Sequence, residues 1–384
     1  MRILFWSSTF WPNVGGVEVL AARLLPALRT RGYEFTVVTP KSHSALPDQE
    51  KYQGIPIHRF SFRNDSTPSI IDYVIEMREK VVKLKHTFDP DLIHINAVGR
   101  GDFFHLVTNT AYKAPFLVTL HGQWEKRIEP IVEHTLRNAD WVAGCSAAII
   151  ERGRQLVPEI VSHSSVIHNG FELPPLTPQP LPFDAPRILC LGRLAQQKGF
   201  DLALGAFRSI IIRFPRARLI IAGNGPARTE LEKQAAKEKI SHAVEFIGWV
   251  APEGVPALIN DATMVLMPSR QDSFPLVALE AAGMARPVVA TRVGGLPEIV
   301  LHKQTGLLVD KEDREGLAQA VFFLIDNPDA AVQMGNAARR RVETAFSWER
   351  HVDAYDALYR QLIRQTSLSK ENDRRSAEKV PDLL

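Results

Sequence analysis

Short apolar runs alternate with stretches of helical periodicity along almost the whole chain, and few folds accept that pattern. Residues 3–7, 35–39, 92–95, 116–120, 141–144 and 165–167 read as strands. Between most of them the apolar period changes. Val17, Leu20, Ala21, Leu24 and Leu28 fall on one face of a helix over 17–31, and 70–86 is a second helix. A second series follows, with strands at 188–191, 218–222, 244–247, 264–267, 288–290 and 306–309. Strands alternating with helices build parallel βαβ units, so the expected class is α/β with doubly wound parallel sheets.

The two series are separated by a change of composition. Pro174, Pro175, Pro178, Pro180, Pro182 and Pro186 crowd residues 173–186. Proline fixes φ and has no N–H to donate, so this piece is neither helix nor central strand and reads as a stiff interdomain linker. The expected organisation is a first domain over 1–172, this linker, and a second domain over 187–345. An amphipathic helix follows, and a polar tail from 366 to 384 is expected to be disordered. A length of 384 residues suits two domains.

Composition narrows the function. The net charge of +3 tolerates an anionic substrate or an acidic membrane surface. No basic cluster carries interleaved aromatics, so a nucleic-acid partner is not expected. Arg78, Lys80, Lys83 and Lys85 on the 70–86 helix read as a solvated face, with a membrane-facing or acceptor-facing patch as the other reading. The apolar start, residues 1–6, breaks at Ser7-Ser8-Thr9, too early for a signal peptide, and no run approaches the ~20 apolar residues of a membrane span. Cys145 and Cys190 sit in or beside apolar runs and read as buried thiols. The expected location is cytoplasmic, with peripheral contact at the inner face of a membrane as the variant.

The chemistry concentrates after the strand that ends at Met267. Ser269-Arg270-Gln271-Asp272-Ser273-Phe274-Pro275-Leu276-Val277 leads from a loop into a short helix that stops at Gly283. Asp272 on the loop and Glu280 on the helix stand eight positions apart, and the free N–H groups of the helix N-terminus suit a phosphate. Gly192-Arg193-Leu194-Ala195-Gln196-Gln197-Lys198-Gly199 follows the second domain's first strand. Arginine can grip phosphate oxygens in pairs and lysine acts as a point charge, so Arg193 and Lys198 suit a diphosphate. Gly15-Gly16 follows the very first strand, where a backbone can approach a ligand closely. His121 ends the strand at 116–120 and would face the crevice where open α/β sheets bind ligands; His94 sits similarly. Asp89-Pro90-Asp91 matches an Asp-x-Asp metal motif but lies in a loop before a strand, so no metal is expected. The Gly-x-Gly-x-x-Gly fingerprint of dinucleotide dehydrogenases is absent.

The Asp272-to-Glu280 stretch resembles the acidic-x7-acidic signature of the retaining glycosyltransferases of family 4, which have the GT-B architecture of two Rossmann-like domains facing a central cleft. The family's first acid is usually glutamate, and Asp272 is one methylene shorter. The resemblance covers nearly the whole chain. It implies a hydroxyl acceptor on the first domain and a nucleoside-diphosphate sugar, as substrate rather than cofactor, on the second. It places the diphosphate on Arg193 and Lys198, the ribose on Glu280, donor-sugar hydroxyls on Asp272, and His121 near the reacting carbon. Gly15, Gly16, Gly223, Gly225, Val250, Ser273, Phe274, Pro275, Leu276 and Val277 are the implied donor-binding positions. The resemblance also implies that the terminal helix, 346–365, crosses back onto the first domain. Lys198 is expected to be exposed, so that its loss would spare the fold. A non-catalytic nucleotide-sugar sensor on the same fold is the second hypothesis, and another reaction on this architecture, such as epimerisation or phosphorolysis, the third. The sugar, base, acceptor and oligomeric state are left open.

Overall fold

The computed structural model describes residues 1–13, 15–62, 69–99, 101–122, 124 and 129–377, with side chains as far as residue 368. The chain forms two compact units, Met1–His168 with His351–Leu384, and Asn169–Arg350.

The first unit is built on eight strands: β1 Arg2–Ser7, β2 Glu34–Pro40, β3 Gln49–Tyr52, β4 Ile55–Phe60, β5 Leu92–Asn96, β6 Phe116–Leu120, β7 Trp141–Gly144 and β8 Ser164–Val166. Their order is β3-β4-β2-β1-β5-β6-β7-β8, and every pair is parallel except β3 with β4. The β3–β4 hairpin is not anticipated by the apolar runs. Its traces are the Gln53-Gly54 turn and the alternating burial of Ile55 and Ile57, a period too brief to stand out between polar flanks.

The helix Trp348–Ala377 packs on this unit. Tyr359 Oη lies 2.6 Å from His94 Nδ1, Tyr33 Oη donates to Asp356 Oδ1 at 2.6 Å, and Arg31 pairs with Asp353 at 2.7 Å. The helix continues past residue 365, where a disordered tail is expected. Nothing between 366 and 377 is glycine or proline, so no residue there stops it. Residues 378–384 of that tail lie outside the described residues.

Two side chains of this unit correct the sequence reading. His94 is fully buried, with Nε2 2.8 Å from Thr119 Oγ1, so both ring nitrogens join β5 to its neighbours and none is left for a ligand. Lys85 is not on a solvated face. It is fully buried on the helix Ile70–Phe88, with Nζ 3.2 Å from both Nδ1 and the carbonyl of His105, and burial lowers its ammonium to about 7.

The second unit has six strands: β9 Arg187–Leu191, β10 Arg218–Ala222, β11 Val244–Gly248, β12 Met264–Met267, β13 Val288–Thr291 and β14 Gly306–Val309. The order is β11-β10-β9-β12-β13-β14, all parallel. The inner strands β12 and β13 are buried at every position, which is why they read as continuous apolar runs. The helix Phe200–Arg213 buries Phe200, Leu204, Phe207 and Ile210 in the same core as Leu317, Val321 and Leu324 of the helix Arg314–Asp326.

The proline-rich stretch 173–186 belongs wholly to this unit. Arg286, 1% exposed, donates to the carbonyls of Gln179 at 2.8 Å and Ile259 at 3.3 Å and to both oxygens of Asn260. Asn260 in turn holds Gln179 N and the carbonyl of Thr177. The stretch is a strap bound along the unit: Arg286 takes the carbonyl of Gln179, Asn260 that of Thr177 and Thr263 that of Pro182.

Candidate active site

Strand order reverses at β9 in the second unit, with β10 on one side and β12 on the other. The loops leaving such a pair diverge and open a crevice at the carboxyl ends of the strands. Here those loops are 192–199 after β9 and 268–275 after β12. They are joined by Arg270, whose N–H donates to Gln197 O at 2.7 Å and whose guanidinium grips both oxygens of Asp201 and reaches Glu312 at 2.7 Å. Gly199 has φ +67°, and a Cβ there would stand 2.0 Å from the carbonyl oxygen of Pro268, so only glycine permits this approach.

The approach brings two of the predicted residues together. Lys198 Nζ donates to Asp272 Oδ2 at 2.7 Å. Lys198 is half-buried and ion-paired rather than freely exposed. Ser269 Oγ donates to the same Oδ2 at 3.1 Å, and the backbone carbonyl of Asp272 accepts the N–H of Gly295 at 3.1 Å. Asp272 Oδ1 has no partner among the described residues. Ser269 is absent from the sequence-based set. Its position three residues before the acid, where a hydroxyl can turn back onto a neighbouring carboxylate, is its only signal.

The helix Leu276–Gly283 starts beyond Pro275, whose extended backbone caps it. Among the described residues no backbone acceptor takes the N–H groups of Leu276 and Val277, so both are available to an anion. Ser273 is half-buried. Phe274 is 4% exposed and packs edge-on against Phe346 at 5.5 Å, so its ring serves the core and not a ligand. Glu280 is half-buried and has no hydrogen-bond or ion-pair partner among the described residues, and loss of hydration pushes its carboxyl up to about 7. Arg193 is exposed, and its guanidinium is likewise unpartnered among them. Gly223 and Gly225 lie against the backbones of Gly192 and Leu194, where any Cβ would collide with a carbonyl oxygen. They shape the Arg193 loop from behind. Val250 is half-buried beside Gly254, and its neighbour Trp249 is 64% exposed.

The first unit holds the remaining residues. Gly15 caps the helix Gly16–Arg29, and Glu18 in the first turn accepts Thr9 Oγ1 at 2.7 Å. The electropositive end of this helix therefore already faces a carboxylate, which suits a neutral ligand better than a phosphate. His121 follows β6, with Nε2 2.7 Å from Asn96 Oδ1. Burial, reinforced by His351, pushes its imidazole down to about 3, so it is neutral at physiological pH. The Asp-x-Asp pair has structural partners: Asp89 binds the Arg2 guanidinium and Tyr112, and Asp91 Oδ2 accepts the N–H of Arg2 at 2.7 Å. Among the described residues no helix is long and apolar enough to cross a membrane.

Known families and proteins match this chain over most of its length. The family described as glycosyl transferases group 1 matches residues 177–341, and glycosyltransferase family 4 matches residues 14–174. A GDP-mannose-dependent alpha-(1-6)-phosphatidylinositol monomannoside mannosyltransferase of Mycobacterium tuberculosis is 36% identical over 375 residues, covering 91% of this chain and 95% of that protein. The glycogen synthase of the same organism is 28% identical over 405 residues, covering 94% of each. Among solved structures, sucrose-phosphate synthase from Thermosynechococcus elongatus superimposes with a TM-score of 0.82 at 23% identity, covering 95% of this chain and 100% of that one. Anabaena HepE in complex with UDP and glucose gives 0.75 at 20% identity, covering 97% and 99%. At these identities the structures speak for the fold.

Proposed function

The chain belongs to glycosyltransferase family 4 and is a glycosyltransferase; we propose that it transfers a sugar from a nucleoside-diphosphate donor to a hydroxyl acceptor with retention of anomeric configuration. The observation that carries the proposal is the Lys198–Asp272 pair, set where strand order reverses, on the loop that leads into the free N–H groups of Leu276 and Val277. One ligand answers all of these groups: a diphosphate for the ammonium and the N–H groups, followed by a polyhydroxylated sugar for the carboxylate.

When the sugar–phosphate bond breaks, negative charge grows on the departing diphosphate. Lys198, Arg193 and the helix N-terminus are the positive groups that stabilise it. Glu280 supplies a carboxylate for the ribose hydroxyls. Asp272, ion-paired to Lys198, is a poor nucleophile and a good hydroxyl anchor, which favours attack from the face the diphosphate leaves over a covalent intermediate on this residue. His121, neutral, offers a ring nitrogen for a sugar hydroxyl rather than a positive charge.

Incubation with a panel of UDP-, GDP- and ADP-sugars tests the proposal. Release of nucleoside diphosphate with one donor, and an α-configured product from an α-configured donor by NMR, is the expected result. Tight binding of a donor with no turnover would make the protein a nucleotide-sugar sensor instead.

A further inference from the structure

Asp272 offers a ligand only one of its two carboxylate oxygens. Oδ2 is engaged twice, by Lys198 Nζ at 2.7 Å and by Ser269 Oγ at 3.1 Å, whereas Oδ1 has no partner among the described residues. The hydroxyl that does the pinning is itself well anchored. Ser269 is 2% exposed, and its carbonyl accepts Thr291 Oγ1 at 2.5 Å from the end of β13. The backbone of Asp272 is fixed from the other side by Gly295 N–H at 3.1 Å. A carboxylate ordinarily exchanges its oxygens by turning about a broad terminal torsion. Here that turn breaks both bonds at Oδ2.

We infer that Ser269 is a positioning residue that sets donor specificity: by holding Oδ2 it leaves Oδ1 as one fixed acceptor for one hydroxyl of the donor sugar. The inference rests on the assignment of Asp272 to the donor sugar. An aspartate has a short reach, and with its carboxylate pinned it meets a hydroxyl in one configuration at one ring carbon. The epimer presents the hydroxyl elsewhere and leaves Oδ1 unpaired. A site built to hydrogen-bond a hydroxyl rejects strongly the ligand that fails to supply it. Lys198 alone would not achieve this, because an ammonium on a flexible stem follows a turning carboxylate.

The test compares kcat/KM for two donors that share a base and differ at one hydroxyl, UDP-glucose with UDP-galactose or GDP-mannose with GDP-glucose, whichever base the protein takes. In Ser269→Ala the preference between the epimers falls about tenfold, the equivalent of one modest hydrogen bond. Inhibition by the bare nucleoside diphosphate stays within about twofold. Ser269→Thr, which keeps the hydroxyl, retains the preference. Ser269→Cys, close in volume and a weak donor, is read the same way if the alanine variant does not fold. An unchanged epimer ratio in a folded variant overturns the inference, and so does an equal loss on both donors and on the nucleoside diphosphate, which would mark Ser269 as a general support of the loop. A wild-type protein that turns over no donor overturns instead the function on which the inference rests.

Discussion

Lys198 and Asp272, seventy-four positions apart in sequence, neutralise one another across the two loops that leave β9 and β12, with 2.7 Å between Nζ and Oδ2. The residues expected on the donor's phosphate and on its sugar are thus one unit before any donor arrives. Removing Lys198 leaves a carboxylate only 9% exposed without its counter-charge. Lys198→Ala should therefore cost stability as well as turnover, roughly 1.5–3 kcal/mol for a hydrogen bond to a charged group. In rate, the same loss is about ten- to two-hundred-fold. Asp272→Asn should do the opposite to the nucleotide. It frees the ammonium, so nucleoside-diphosphate binding is kept or tightened while transfer falls. Calorimetric titration of both variants alongside transfer assays separates the effects, and an Asp272→Asn enzyme with wild-type turnover would remove this carboxylate from the donor site.

Glu280 carries a pH signature. Burial raises its carboxyl to about 7 in the folded protein, above the ordinary value near 4.5. A raised carboxyl contributes stability that is complete below the unfolded value and lost as pH rises through the folded one. Glu280→Gln should then be more stable than wild type at pH 8, with the gap closing below pH 5. Its nucleoside-diphosphate affinity should be weaker, because an amide loses the charge that the ribose hydroxyls donate to. Parallel melting curves that never diverge between pH 5 and pH 8 would refute the buried carboxyl.

Lys85 should show the complementary trend. Its folded value is lowered to about 7, while an unfolded lysine titrates near 10.4. Stability is therefore lost as pH falls from about 10 towards 7, by up to about 1.4 kcal/mol per unit. Lys85→Met keeps the buried stem and removes the charge. Its melting temperature should gain on that of wild type as pH is lowered to 7. A difference that does not change with pH would place the ammonium in water.

Most of the framework was legible in the sequence because parallel strands buried on both faces leave unmistakable apolar runs. The strands flanking the site, β9, β10 and β12, stand where those runs lie. The site was legible only as a set of residue types. That Lys198 meets Asp272 depends on Gly199 passing within contact of the Pro268 carbonyl, a tertiary event without a local pattern. Ser269 left only its place three residues before the acid, a local spacing too common to single it out. Lys85 was misread because charge was taken as a sign of exposure, and the proline-rich stretch was read as a stiff linker because prolines exclude helix and central strand without showing what holds the backbone. Buried carbonyls, such as those of His105 and Gln179, can instead be what draws a cation inward.

Metal independence is a prediction of the proposed donor site, in which Arg193, Lys198 and the N–H groups of Leu276 and Val277 take the charge of the departing diphosphate. Transfer should persist in the presence of a chelator. Complete loss that manganese restores would show that the cations are not enough.

Arg286 offers a test of how the second unit holds its strap. The guanidinium is buried among carbonyl oxygens from 179, 259 and 260, and burial lowers it to about 10, so it remains charged at neutral pH. Among the described residues no carboxylate hydrogen-bonds it; carbonyl oxygens and the nearby charge of Asp261 offset the loss of hydration. Arg286→Met fills similar space but leaves those carbonyls unanswered, at a cost of about 1–3 kcal/mol for a buried acceptor left unsatisfied. The loss is local in character, since residues 173–186 have other polar anchors along their length: Asn260 binds Thr177 and Gln179, Thr263 binds the carbonyl of Pro182, and the N–H of Arg218 donates to the carbonyl of Pro186. Limited proteolysis should accordingly cut the variant within 173–186 under conditions where wild type is resistant, and a lowered melting temperature should accompany the cut. If the variant resists the protease as well as wild type, the strap is held by its apolar contacts, Leu181 and Phe183 against the core, and not by the arginine.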